Sequence, residues 1–294
     1  MRILICAKND LAANLAVNRL LAGLGDAQMA LWLSNIDRPA ELLDPDLATL
    51  RFFERRLPNE WLLPLVEQAD PQARGERLGF PALARRHGVS LEIIDDWRRP
   101  YWHSRLEELA PDLIVSIRFS HIFPASMIAV PHFGVLNLHP GDLPLYAGLF
   151  APFHQVLDGR DRLGCTLHWV DAGIDTGPVV TRRFLPVQPA RSLIWHVCHV
   201  YLPGVDAVLE VCADLERGRR PAGEIQDVAR RHYHRLPDRN AFERFRLAGW
   251  KLVDYADYEG LLAGYRPAAK RASDAPSRAT GDTGEELCCR LPTA

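Results

Sequence analysis

Four short apolar runs, each closing on polar residues, constrain this 294-residue chain more than any other feature. Arg2–Ala7 (RILICA) reads as a buried strand, Asp10 as a helix N-cap, and LAANLAVNRLLAGL as a helix running to Gly23–Gly25. Ala27–Ser34 reads as a second strand, and this strand–helix–strand opening predicts a parallel pair with a right-handed crossover. DLIVSI (Asp112–Ile117) and VLNL (Val135–Leu138) continue the series. The expected class is α/β, a mostly parallel sheet flanked by helices. The turn after the first strand, AKNDLAANL, holds no glycine. A dinucleotide-binding G-x-G-x-x-G loop is therefore absent, and a backbone cradle for phosphate is disfavoured there.

Residues 39–87 carry helical patterns, with breaks expected at Pro58 and at Asp70–Gly75. Ser90–Ile94 reads as a short strand, and Arg98–Leu109 as a helix entered through Pro100. Residues 151–158 read as a helix, Cys165–Val170 and Val179–Val187 as strands, and Ser192–Leu215 as one long closing helix. The expected organisation is a catalytic domain over 1–217, a small extension over 218–266 packing on it, and a disordered tail over 267–294. Aromatic and leucine stripes over 48–66 suit core packing and equally the face of a homodimer.

Charge and cysteine usage exclude several classes. Net charge is −2 and the pI is about 6.6, without the basic patch of a nucleic-acid binder. Six cysteines form no C-x-x-C pair, and His196 and His199, three apart, lack further ligands, so no metal is expected. The N-terminal run is too short for a signal peptide, and no stretch approaches the roughly 18 apolar residues of a membrane span. The expectation is a soluble cytoplasmic protein.

Chemistry concentrates between Gly134 and Val180. Asn137 and His139 are two apart, so an extended backbone points them to the same side, and Pro140–Gly141 ends the strand just beyond them. Ligands of open α/β sheets gather at that carboxyl edge. The turn-rich DAGIDTGP places Asp175 in a loop. An amide N–H stabilises an oxyanion, an imidazole moves protons near neutral pH, and a carboxylate fixes the imidazole tautomer. Together they suit acyl transfer to an amine. On the following strand, alternation groups Thr166, His168 and Val170 on one face; whether His168 faces the site or serves structure stays open.

This segment resembles the formyltransferases that use 10-formyltetrahydrofolate, a superfamily that includes glycinamide ribonucleotide transformylase, methionyl-tRNA formyltransferase and sugar and hydroxyornithine N-formyltransferases. The resemblance rests on Asn137-Leu138-His139-Pro140, Leu143-Pro144-Leu145-Tyr146-Ala147-Gly148, Gly164-Cys165-Thr166-Leu167-His168 and Asp175-Thr176-Gly177, in that order. It implies a Rossmann-like formyltransferase fold with Asn137, His139 and Asp175 as catalytic trio and 10-formyltetrahydrofolate as co-substrate. It places Arg118, Phe119, His121, Ile122 and Phe123, with Asp171, Gly173 and Ile174, beside the folate, Arg118 alternatively facing the acceptor. Gly141 stands where many members have Ser, and Ala147 where the tRNA enzyme has a basic residue. Residues 219–265 are too short and too weakly strand-patterned for the β-barrel of that enzyme. The implied acceptor is a small-molecule amine in biosynthesis, an amino-sugar nucleotide or an amino acid of hydroxyornithine type, without nucleic acid or membrane. Hydrolysis of the formylfolate, or folate binding without catalysis, are the alternatives. Tyr233–Pro237 either cover the acceptor entrance or pack on the core.

Overall fold

The computed structural model describes residues 1–25, 27–69, 72 and 75–266; the expected disordered tail, with Cys288 and Cys289, lies outside the described residues. Strand β1 (Arg2–Lys8) pairs in parallel with β2 (Gln28–Ser34) and, on its other side, with β4 (Leu113–Ile117). β3 (Ser90–Ile94) adds to β2, and β5 (Val135–His139) adds to β4, also in parallel. β7 (Arg162–Trp169) and β8 (Val179–Pro186) extend the sheet antiparallel, giving the order β3-β2-β1-β4-β5-β7-β8. The two-residue strands β6 (Ala147–Gly148) and β9 (Tyr233–His234) form a separate parallel pair. Because consecutive strands leave β1 in opposite directions, a crevice opens over the carboxyl ends of β1 and β4.

The pleat sorts β1 cleanly between two cores. Ile3, Ile5 and Ala7 enter the larger cluster, whereas Leu4 and Cys6 enter the smaller one on the opposite face. The larger face is covered by α1 (Leu11–Gly23) and, from farther along the chain, α9 (Leu193–His199) and α10 (Leu202–Glu216). Asp10 caps α1 by accepting from Ala13 N at 2.9 Å. Between β2 and β3 run α2 (Pro39–Leu43), α3 (Pro45–Arg51), a wide π-type helix (Phe52–Leu62), α4 (Leu63–Ala69) and α5 (Phe80–His87). On the other face lie α6 (Pro100–Leu109) and α7 (Ala125–Ile128), and α8 (Ala151–Leu157) precedes β7. No helix of the described residues is long and apolar enough to cross a membrane.

Two helix boundaries differ from the sequence expectation. Pro58 does not break its segment. In an i→i−5 ladder the carbonyl that its missing N–H leaves unpaired is that of Phe53, and the Tyr258 hydroxyl donates to it at 2.9 Å. Conversely, 192–215 is two helices, because Pro203 cannot donate backward and instead opens the first turn of α10. Within the 48–66 stripe, Leu50 and Leu63 are buried and Trp61 is exposed.

Residues beyond Gly218 enter the main core. α11 (Arg239–Leu247) buries Phe242 and Phe245, which pack on Phe153 of α8 with ring centroids 5.0 and 4.8 Å away. α12 (Tyr255–Ala263) buries Asp257, which accepts from Ser192 N at 2.7 Å and from Arg191 at 2.7 Å. Phe242 is fully buried, so Phe242→Ala should cost about 3–5 kcal/mol. Urea denaturation of the full chain checks this; a loss below about 1 kcal/mol would mean that α11 is a detachable appendage.

Candidate active site

Register brings the site together. In the β5–β7 pairing Asn137 lies opposite His168 and His139 opposite Thr166, all four side chains on the face that meets the loops. His168 Nδ1–H donates to the Trp169 carbonyl at 2.9 Å, which leaves Nε2 as an acceptor. The Asn137 amide donates to it at 3.1 Å. This bond orients Asn137 and leaves its second amide N–H available as a donor. Burial pushes the His168 imidazole below its ordinary range despite the nearby Asp175 carboxylate, so it stays neutral and keeps its acceptor. Alternation groups His168 with Thr166 and leaves open whether that face meets the site; the cross-strand register sets it opposite Asn137.

His139 is held from both edges. Its Nε2–H donates to the Tyr146 carbonyl at 2.6 Å, and Nδ1 stands 3.6 Å from Asp175 Oδ1. The Nδ1 edge is thus the one free to exchange a proton beside a carboxylate. Asp175 adopts a left-handed backbone (φ 54°), costing about 1–2 kcal/mol for a side-chain-bearing residue. Its Oδ2 accepts from Gly148 N at 2.9 Å, and a charge-assisted bond of this kind contributes about 1.5–3 kcal/mol. The clasp therefore outweighs the strain. Two glycines make these approaches possible. A Cβ on Gly141 would lie 2.3 Å from the Tyr146 carbonyl oxygen and 2.6 Å from His139 Nε2. Gly148 has φ 91°, and its Cβ would meet the His234 carbonyl at 2.4 Å. Thr166 ties the same loop, donating to Gly141 O at 2.6 Å and accepting from Leu143 N.

The trio opens on a cavity of about 360 Å³ over the carboxyl ends of β1, β4 and β5. Of the residues expected beside a folate, Arg118, Phe119, His121, Ile122 and Ile174 line it. Phe123 is buried in the smaller core instead, and Asp171 holds its own loop by accepting from Gly173 N and the Thr176 hydroxyl. His121 stacks on Trp97 with centroids 5.8 Å apart, and burial lowers its pKa. Its buried Nε2 has no hydrogen-bond partner among the described residues. Arg118, also left-handed (φ 57°), donates to Asp10 at 2.9 Å and to Glu54 at 2.7 Å. Burial works against this cation, but the two carboxylates outweigh it and hold the guanidinium well above its ordinary value. Burial raises the Glu54 carboxyl against the pull of Arg118. The sequence marks Asp10 only as a helix cap, and nothing in it ties Asp10 or Glu54 to Arg118. His196 and His199 each spend Nδ1 on a carbonyl of their own helix turn, and no metal-holding cluster occurs among the described residues.

Above the loop that carries Gly148, His234 stacks on Tyr146 and lies 4.4 Å, centroid to centroid, from both His154 and His232. Burial first, then the two imidazoles, lower His234 from 6.5 to about 4. A depressed folded pKa gives stability that is complete above 6.5 and is lost as pH falls toward 4. Thermal midpoints should therefore drop between those pH values, with a shallower drop in His234→Gln; parallel curves for the two proteins would remove His234 from the acid response.

Residues 97–194 match the formyl transferase family model. Methionyl-tRNA formyltransferase of Geobacter sulfurreducens is 34% identical over 160 residues, covering 52% of this chain and 50% of that protein. The enzyme of the same name from Dehalococcoides mccartyi is 32% identical over 166 residues, covering 55% and 53%. The chain thus spans about half the length of these curated relatives. Among solved structures, glycinamide ribonucleotide transformylase 1 from Symbiobacterium toebii superposes with a TM-score of 0.53 at 18% identity, covering 77% of this chain and 94% of that one. An N-formyltransferase from Helicobacter canadensis, solved with folinic acid and dTDP-3-aminofucose, gives 0.51 at 16% identity, covering 79% and 70%. The matched residues 97–194 contain Asn137, His139 and Asp175, so it is the site-bearing third of the chain that is similar to the formyl transferase family.

Proposed function

We propose that this protein transfers a formyl group from 10-formyltetrahydrofolate to the amine of a small molecule, as a cytoplasmic biosynthetic enzyme. The observation that carries the reading is the convergence of Asn137, His139 and Asp175 on one cavity wall, each fixed by a separate bond. Phe119, His121, Ile122 and Ile174 would hold the folate, which supplies the formyl carbon and, as leaving group, its N10. Asn137 donates to the oxygen that becomes anionic when the acceptor nitrogen bonds that carbon. The Nδ1 edge of His139 takes the proton the acceptor sheds and returns one to N10 as the carbon–nitrogen bond breaks. Asp175 stabilises the imidazolium between these steps. The products are the formamide and tetrahydrofolate.

Both acceptor classes, amino-sugar nucleotide and amino acid of hydroxyornithine type, fit walls that carry charges of both signs, with Lys8, Arg38 and Arg118 beside Asp10, Glu41 and Glu54. Ala147, fully buried and paired with Tyr233 of β9, offers no cation to a polyanion. A small polar acceptor follows better than tRNA.

Tetrahydrofolate release should require one amine from a panel of amino-sugar nucleotides, hydroxyornithine and amino acids, with methionyl-tRNA and a no-amine control alongside. His139→Ala should lower the rate about 10²–10⁴-fold and Asn137→Ala about 10²–10³-fold, both remaining folded. Release without amine identifies a hydrolase, and unchanged turnover in His139→Ala sinks the assignment.

A further inference from the structure

Residues 224–234 cross from one catalytic loop to the other. Glu224 exchanges both backbone bonds with Val179, directly after the Asp175 loop. Arg231 donates to Ile174 O at 2.9 Å. His232 N donates to Pro144 O, and Ala147 N and Leu149 N donate to the carbonyls of His232 and His234. The segment thus grips both the loop that carries Asp175 and the loop whose Tyr146 carbonyl and Gly148 N–H hold His139 and Asp175.

One side chain of this segment reaches the reacting groups' own backbone. The Gln226 amide nitrogen donates to Asp175 O at 3.0 Å and to Gly177 O at 2.7 Å. Two carbonyls on one atom fix the amide's orientation, since its oxygen would be repelled there. Gln226 is buried, and its own oxygen has no partner among the described residues. An apolar side chain would serve simple packing better than a half-satisfied amide.

We infer that Gln226 is a positioning residue: it pins the left-handed Asp175 peptide so that the carboxylate stays between Gly148 N–H and His139. This rests on the formyl-transfer reading. Without the two bonds, Asp175 relaxes toward ordinary backbone angles and its carboxylate leaves the imidazole. Gln226 touches neither donor nor acceptor, so binding survives while the chemical step suffers.

The test compares the full chain with Gln226→Leu and Gln226→Glu, which keep the shape and remove the donors. Once an acceptor is known, kcat should fall about 100-fold, with KM for 10-formyltetrahydrofolate and for the amine changed less than about threefold. Crystal structures of the variants should show Asp175 withdrawn from Gly148 N. A rise in KM at unchanged kcat, unfolding of both variants, or normal kinetics would each overturn the inference. Absence of transfer by the native protein would defeat the formyl-transfer reading alone; the crystallographic comparison then still decides, an unmoved Asp175 carboxylate refuting the positioning role.

Discussion

The hydrogen bond from Gly148 N–H to Asp175 Oδ2 directly joins two loops that residues 224–234 also bridge. β5 delivers Asn137 and His139 rigidly, because a strand end in the middle of a sheet has little freedom. Asp175 comes from an exposed turn between two strands and would sample many positions if left alone. Fixing it requires a donor on the neighbouring loop, and that donor is backbone. The glycine that supplies it admits β9 at a distance no other residue allows. The geometry of the candidate site thus depends on main-chain groups, and small residues such as Gly141 and Gly148 let backbones approach.

The opposite wall of the cavity follows another logic. Asp10 is fully buried and Arg118 and Glu54 are mostly so, and each charge would be costly unpaired. Arg118 sits between two carboxylates, so the trio is stable only if all three stay in place. Asp10 caps α1, Arg118 follows β4, and Glu54 belongs to the π-type helix. The pairing therefore ties the helical segment after β2 to the sheet edge and sets the shape of the cavity floor. The Tyr258 hydroxyl on Phe53 O anchors the same helix from the C-terminal extension. Residues that look peripheral in sequence consequently help to define the space that a substrate enters.

What the sequence could reveal follows from the range of each interaction. The β-α-β opening, the Asp10 cap and the shared side of Asn137 and His139 depend on residues within a few positions of one another, and periodicity exposes them. The pairing of Asn137 with His168 depends on the register of two antiparallel strands, which alternation on either strand leaves undetermined. Arg118 meets partners 108 and 64 residues away, with no spacing rule to connect them. Pro58 misleads for a related reason: local propensity predicts a break, and a hydroxyl 200 residues away supplies the missing donor. Gln226 has no motif at all, since its significance comes from the two carbonyls it happens to reach.

If His139 carries protons, as proposed, neighbouring imidazoles must not compete for them. His168 is adjacent to Asp175 yet has one nitrogen committed to a carbonyl and the other to Asn137. His121 and His154 are pushed below their ordinary range by burial, and His234 further still. The Tyr146 carbonyl occupies Nε2 of His139 and leaves one working edge beside Asp175. Desolvation and hydrogen bonds thus hold the neighbouring imidazoles below their ordinary range or occupy their nitrogens, and His139 keeps one open edge beside the Asp175 carboxylate.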